Sequence, residues 1–79
     1  MTKEEKQELK DKLIKFGNKG TLANDECLKV LNEKERAIIC YRYVNKLEWG
    51  EIAEKVYFSK MHCNRIHDKA LEKILKFFK

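Results

Sequence analysis

The 79-residue sequence has no proline and only three glycines, which suits helices joined by short turns. No apolar run approaches the ~20 residues that a membrane span requires. The first twelve residues are almost entirely polar, so we expect no signal peptide. These absences disfavour a turn-rich fold, a membrane-spanning protein and an exported one.

Cysteine is scarce as well. Cys27, Cys40 and Cys63 are an odd number, and none of them forms a Cys-x-x-Cys pair. We therefore expect reduced thiols in a cytoplasm. Cys63 and His67 lie four residues apart, a spacing that can bring two metal ligands together. Because Cys63 falls on a predicted inner stripe and no second ligand pair is visible, we predict no metal, no cofactor and no catalytic residues.

What the chain does have is charge. Charged residues make up 39% of it and hydrophobic residues 43%, which favours a folded chain over a disordered one. Its length allows one domain with one modest core and leaves no room for a separate catalytic domain. Lys and Arg number 18 against 13 Asp and Glu, a net charge of +5. This balance suggests a polyanionic partner, and charge alone does not choose between nucleic acid and a membrane surface.

A first helix is predicted from Thr2 to about Phe16, because Thr2 and Glu5 have the spacing of a capping box. Gly17 and Gly20 mark its end. Its apolar stripe is narrow and consists of Leu9, Leu13 and Phe16. We expect this helix to dock loosely, either on its own domain or on a second chain, and we favour the former.

Three further helices are predicted. One starts at Asn32, which forms a second capping box with Glu35, and runs to about Val44. A short one covers Trp49–Val56. The last and longest follows the N-cap candidate Ser59. Its range is about Lys60–Phe78. The fold class is therefore all-α, a small bundle of four to five helices.

Apolar spacing also predicts which side chains are buried. The segment between the first two helices contributes Leu22, Cys27, Leu28, Val30 and Leu31. The second helix contributes Ala37, Ile38, Tyr41 and Val44. The last helix contributes Cys63, Ile66, Ala70, Ile74 and Phe77, with Leu71, Leu75 and Phe78 beside them.

The segment from Trp49 to about Lys69 has the spacing of a helix-turn-helix. Ala53 is small, as a close helix crossing requires. The connection Tyr57–Ser59 brings Phe58 between the helices and ends in an N-cap. In such units the second helix lies in the DNA major groove, and its first residues reach base edges.

The distribution of charge supports that use. Six cations and two anions lie between Ser59 and Lys79, which gives this segment four of the five net positive charges. The rest of the chain has twelve cations and eleven anions. A solvated helix face is the simpler explanation of the lysines, but their coincidence with the motif favours nucleic acid.

The same residues resemble region 4 of bacterial sigma factors. Leu31–Tyr43, with its Leu-x-x-x-Glu opening and its Arg-Tyr pair, is similar to the first half of that region. Trp49–Val56, which contains Glu-Ile-Ala, resembles the supporting helix of its helix-turn-helix. Ser59–Ile66 resembles the recognition helix, and Lys69–Ile74 the closing segment. The resemblance covers about residues 31–75.

This resemblance implies a DNA-binding module that reads an upstream promoter element and contacts the β flap of RNA polymerase. Carried over by position, five residues are expected to contact bases: Lys60, Met61, His62, Asn64 and Arg65. Three are expected to contact phosphate: Arg42, Ser59 and Lys69.

Four positions depart from the family pattern. Glu48 stands where Ser or Thr usually caps the supporting helix. Tyr57 stands where the turn usually has glycine or a small polar residue, and a left-handed tyrosine there costs roughly 1 kcal/mol. Met61 and His62 are not typical of promoter-reading helices, so the preferred DNA sequence does not carry over.

Nothing in the chain resembles the DNA-melting region of a sigma factor. We interpret it as a small stand-alone regulator of the kind that bacteriophages and mobile elements carry, with an excised domain as the alternative. We divide it into an N-terminal helix, residues 1–20, and a helix-turn-helix domain, residues 21–79, within one compact unit. Its expected location is the cytoplasm of a bacterial cell or of a phage-infected host.

Two functions stay open on the sequence. The first is a sequence-specific DNA-binding transcriptional regulator. The second is a protein-interaction module that engages RNA polymerase or another transcription protein and binds DNA weakly, which the acidic series Glu48, Glu51 and Glu54 favours. A monomer of this size makes few base contacts, so tight specific binding requires either a homodimer or tethering to polymerase.

Overall fold

The computed structural model describes residues 2–20, 22 and 26–78. Within these ranges the chain forms four α-helices and one 3₁₀ helix, with no strand, which confirms the all-α fold class. In order they are α1 (Lys3–Asn18), a 3₁₀ helix (Glu26–Val30), α2 (Glu33–Tyr43), α3 (Trp49–Val56) and α4 (Lys60–Phe78). Lys79, counted above among the cations of the last helix, lies outside the described residues.

The start of α1 is as predicted and its end is not. The Thr2 hydroxyl accepts a hydrogen bond from the Glu5 N–H, and the Glu5 carboxylate accepts one from the Thr2 N–H, each at 3.1 Å. The helix continues past Phe16 and includes Gly17. Only Gly20 has the left-handed φ, 74°, that favours glycine at a helix end.

Gly17 is a packing residue. A Cβ atom at this position would overlap the carbonyl oxygen of Tyr43 in α2. Glycine therefore lets the end of α1 approach the backbone of α2 directly. Leu9 and Leu13 are buried against the rest of the chain, so the prediction of loose docking is wrong, and α1 is part of the core.

Buried side chains form two clusters. The larger cluster joins α1, the 3₁₀ helix, α2 and the second half of α4: Leu9, Leu13, Leu22, Cys27, Leu28, Leu31, Ile39, Tyr43, Ala70, Leu71 and Ile74. The helix-turn-helix cluster has fewer fully buried members: Ile38, Ile52, Val56 and Cys63. Six partly buried side chains pack against it: Tyr41, Leu47, Trp49, Ala53, Phe58 and Ile66.

The second capping box is confirmed, but the predicted buried face of α2 is corrected. Asn32 and Glu35 exchange two hydrogen bonds of 2.9 Å. Three of the predicted buried residues are only partly buried: Ala37, Tyr41 and Val44. Because the two clusters lie on different sides of α2, Ile38 packs into one and the adjacent Ile39 into the other. A helix covered on two sides has no single buried stripe.

Three predicted core residues are instead exposed. Val30 is 45% exposed at the end of the 3₁₀ helix, and Phe77 and Phe78 are 41% and 40% exposed in the last turn of α4. The two phenylalanine rings contact each other edge-on, with centroids 5.3 Å apart, and the Lys12 ammonium lies 4.6 Å from the Phe78 ring centroid. Periodic spacing predicts which way a side chain points, but it does not predict whether another helix extends far enough to cover it.

Candidate nucleic-acid interface

The helix-turn-helix is built by α3, a three-residue connection and α4. Tyr57 has φ 60° and ψ 35°, the left-handed conformation, and its N–H donates to the Ala53 carbonyl. Phe58 follows and packs partly buried against the helix-turn-helix cluster. The Ser59 hydroxyl accepts a 3.1 Å hydrogen bond from the His62 N–H, which confirms the predicted cap of α4. Local chemistry thus fixes the residue at which α4 starts.

Glu48 precedes α3 and does not act as a side-chain cap. Its backbone is extended, and its carbonyl accepts the first helical hydrogen bond, from the Ile52 N–H at 3.0 Å. Its side chain is exposed and makes no capping hydrogen bond. Glu51 and Glu54 are exposed as well, so this short helix presents carboxylates to solvent.

All five residues predicted to contact bases are exposed on the first two turns of α4: Lys60, Met61, His62, Asn64 and Arg65. Met61 and Arg65 lie one turn apart, and an Arg65 N–H donates to the Met61 sulfur at 3.7 Å. Lys69 continues the same side of the helix one turn further on. The structure therefore brings most of the predicted site to one outward face.

Asn64 and His62 are more constrained than exposure alone suggests. The Asn64 amide donates a 2.9 Å hydrogen bond to the Lys60 carbonyl, one turn earlier. The His62 ring meets the Phe58 ring edge-on, with centroids 4.5 Å apart. His62 is thus held against the turn.

Arg42 is partly buried where α2 ends. One of its N–H groups donates to the Leu47 carbonyl at 2.9 Å, and its guanidinium lies 4.9 Å from the Trp49 ring centroid. These contacts fix the orientation of a side chain that the resemblance assigns to phosphate. A guanidinium has five N–H donors, so an anion can still be bound by the others.

Lys73 is a cation of α4 that is already paired within the protein. Its ammonium lies 2.7 Å from the buried carboxylate of Glu35, in a bridge between α4 and α2. That carboxylate also completes the capping box of α2. The cations of α4 that remain exposed and carry no ion pair in the described part of the chain are Lys60, Arg65, Lys69 and Lys76.

Sequence reasoning missed the most unusual side chain of α4. His67 is only 3% exposed, and its Nε2 atom lies 2.6 Å from the Tyr43 hydroxyl. Its Nδ1 atom lies 3.6 Å from an Asp68 oxygen, and the Trp49 ring contacts it edge-on. His67 falls four residues after Cys63 and three before Ala70, so the buried stripe of α4 contained the signal.

Burial is the largest influence on the pKa values of His67 and Tyr43. It lowers the pKa of His67 to about 4, against a weaker opposing effect of Asp68. It raises the pKa of Tyr43 to about 12. The imidazole is therefore neutral at pH 7 and fits a hydrogen bond in which the Tyr43 hydroxyl donates to Nε2.

Across residues 2–20, 22 and 26–78, no three His, Cys, Asp or Glu side chains are grouped so that they could hold a metal ion. No helix in the same ranges is long and apolar enough to cross a membrane.

Comparison with known proteins gives two similarities. A family model described as sigma-70, region 4, matches residues 27–76. Bacteriocin UviA of Clostridium perfringens is 38% identical over 68 residues, which are 85% of this chain and 36% of that protein. The chain thus spans just over a third of the length of this curated relative. No solved structure matches.

Proposed function

The chain belongs to the sigma-70 region 4 family, whose helix-turn-helix is a DNA-binding unit of transcription, and from that membership we propose that it is a sequence-specific transcriptional regulator. In this proposal α4 lies in the major groove and reads bases with the side chains of Lys60, Met61, His62, Asn64 and Arg65. The observation that carries the proposal is that all five are exposed on one end of a helix whose opposite side is buried.

Phosphate contacts would flank this surface. Ser59 lies at the N-terminus of α4, where the helix dipole favours an anion, and Lys69 lies nearly three turns further on. Arg42, near the end of α2, lines one cleft together with Asn64 of α4. A charged surface of this kind binds DNA with a strong dependence on salt, since each neutralised phosphate releases counterions.

The test compares single variants in a gel shift against AT-rich duplex DNA. Lys60→Ala and Arg65→Ala should each weaken binding by about 1–3 kcal/mol, with little change in melting temperature, because neither side chain is in a buried cluster. Lys15→Ala is the matched control, since Lys15 is exposed on α1, outside the helix-turn-helix. If both variants bind like the parent protein, α4 is not the recognition helix.

A second candidate is a protein-interaction module that engages the β flap of RNA polymerase. The exposed carboxylates of Glu48, Glu51 and Glu54 favour it, because they would repel DNA phosphates near α3. Under this alternative, DNA binding is weak and depends little on salt. Glu51→Gln with Glu54→Gln would then reduce polymerase capture, whereas a DNA reader would bind its site as well or better.

The oligomeric state distinguishes two ways in which a DNA-binding regulator of this size could bind its site tightly. A monomer in solution favours tethering to polymerase, while a dimer provides two recognition helices for a two-fold site. A mass measurement of the intact protein, by light scattering or native mass spectrometry, decides between them.

A further inference from the structure

A cleft of about 400 Å³ opens between α1, the end of α2, the start of α3 and α4. We call it the basic cleft, because its charged lining residues are Lys6, Lys10, Arg42, Lys46 and Asp68. Trp49, Tyr43 and His67 provide its aromatic side. Its size is within the usual range for small-ligand sites.

The positive charge of the basic cleft is only partly neutralised. Lys6 and Asp68 pair with each other at 2.9 Å. The Arg42 guanidinium is oriented by the Leu47 carbonyl and the Trp49 ring, neither of which carries charge. In the part of the chain that the structure describes, Lys10 and Lys46 have no carboxylate within ion-pair distance. Three of the four cations that line the cleft thus have no ion-pair partner among the described residues, because its one carboxylate, Asp68, pairs with Lys6.

The backbone conformation of Lys46 is energetically unfavourable. Its φ of 56° is in the left-handed region, where glycine or asparagine is favoured. The turn is fixed by a 3.0 Å hydrogen bond from the Leu47 N–H to the Tyr41 carbonyl. His67 also lines the cleft and is kept neutral chiefly by burial, which lowers its pKa, while Asp68 raises that pKa and Lys10 and Lys6 lower it.

We propose that the basic cleft binds a phosphate group, held by Lys10, Arg42 and Lys46. Guanidinium and ammonium groups are the side chains that recognise phosphate, and Arg can bind two of its oxygens at once. The cleft is larger than a phosphate ion needs, so the group would belong to a larger molecule. A base or other flat ring attached to the phosphate could lie beside Trp49.

Two sources of the phosphate fit the geometry. One is a free organic phosphate of nucleotide size. The other is the DNA backbone, because Asn64 of the recognition helix lines the same cleft. The second source depends on the proposed DNA-binding function, and the first does not.

The first experiment uses Trp49, the sole tryptophan of the chain, as the reporter. Its fluorescence is followed while inorganic phosphate or adenosine monophosphate is added, with ionic strength held constant by sodium chloride. A saturable change is expected for the full-length protein. Lys10→Gln and Lys46→Asn should each weaken it at least tenfold, and Lys15→Gln should leave it unchanged.

These variants are chosen to preserve the fold. Lys10 and Lys46 are not part of either buried cluster, and asparagine accepts the left-handed conformation of residue 46. Lys15 lies on the same helix as Lys10 but outside the cleft, so Lys15→Gln removes the same charge elsewhere. Far-UV circular dichroism confirms that each variant is folded.

The second experiment measures DNA affinity across salt concentrations. If the cleft binds backbone phosphate, Lys10→Gln and Lys46→Asn should each lower the slope of log K against log salt by about 0.9, the value for one lost phosphate contact. Lys15→Gln should keep the slope of the parent.

The outcomes separate the two sources and the two proposals. If the Trp49 fluorescence responds to either small phosphate and the cleft variants weaken that response, the phosphate belongs to a free ligand. If the variants reduce the salt slope and no such response is seen, the phosphate belongs to the DNA backbone. The proposal is overturned if the small phosphates produce no cleft-dependent response and the variants keep the parent's slope. If adenosine monophosphate binds in the cleft while Arg65→Ala leaves DNA binding intact, the cleft stands and the recognition-helix proposal fails.

Discussion

The two buried clusters of this small protein differ in the number of side chains that they bury. Among the described residues the larger cluster has eleven buried members and the helix-turn-helix cluster has four. The helix-turn-helix cluster is completed by side chains that are only partly buried, such as Trp49 and Phe58. Because α2 and α4 run through both clusters, the larger one holds the two helices on which the smaller one is assembled. The stability of the helix-turn-helix is therefore largely supplied by residues outside it.

The strongest way to break this arrangement is at the contact between α1 and α2. Gly17→Ala places a Cβ on the Tyr43 carbonyl oxygen, which belongs to backbone and cannot rotate away. We expect a loss of about 3 kcal/mol in the free energy of unfolding, at the upper end of overpacking costs, measured by urea denaturation.

Gly50→Ala is the matched control in the helix-turn-helix. A Cβ there would meet only the flexible side chain of Lys60, its Cε at 3.3 Å and its Nζ at 3.8 Å. Because alanine is a better helix former than glycine, stability should stay equal or rise by up to about 1 kcal/mol. Equal losses from both substitutions would contradict the dependence on α1.

Protonation of His67 should loosen the junction between the two clusters. His67 bonds Tyr43 of the larger cluster and contacts Trp49 of the smaller one. Its pKa is about 4 in the folded protein against 6.5 for an ordinary histidine, so its contribution is complete above pH 6.5 and lost as the pH falls towards 4. This loss amounts to about 3 kcal/mol.

The measurement is the free energy of unfolding at several pH values between 4 and 7. His67→Gln should flatten this dependence, whatever its effect on absolute stability. His62→Gln removes the exposed histidine of the same helix and should leave the slope as in the parent. A steep slope retained by His67→Gln would show that another group causes it. Asp68 is the first to consider: burial raises its pKa, but its contacts with Lys6 and His67 together outweigh burial and lower it.

The smallest expected effect concerns the turn of the helix-turn-helix. Tyr57 is 91% exposed and left-handed, so its side chain contributes strain and little burial. Tyr57→Gly should raise the free energy of unfolding by roughly 0.5–1 kcal/mol. Tyr57→Ala removes the ring but keeps the Cβ and should bring no such gain. A gain from both would assign the effect to the ring.

Local patterns of the sequence predicted the helix starts well. The capping boxes at Thr2 and Asn32 and the cap at Ser59 form as expected, because each depends on residues no more than three positions apart. The left-handed conformation considered for Tyr57 is also observed. The exposure of the predicted base-contact residues follows from the same periodicity, while their contacts with DNA remain predictions.

Features that depend on distant contacts were not predictable in the same way. The role of Gly17 depends on where the Tyr43 carbonyl lies, 26 positions further along the chain. The exposure of Phe77 depends on which helices reach the end of α4. The basic cleft combines Lys10 with Lys46 and Trp49, which only the docking of α1 brings together. Periodicity predicts which face of a helix is buried, but it does not predict which other helix packs against that face.

The cysteines give each cluster a native chemical marker. Cys27 is fully enclosed in the larger cluster and Cys63 in the helix-turn-helix cluster, while Cys40 is partly buried and packs against the larger cluster. Burial raises the pKa of the Cys40 and Cys63 thiols, so alkylation at neutral pH proceeds slowly until solvent reaches the sulfur. The alkylation rates of Cys27 and Cys63 under native conditions would therefore time the opening of each half separately. Transient opening of the helix-turn-helix while the rest stays closed becomes measurable without adding a label.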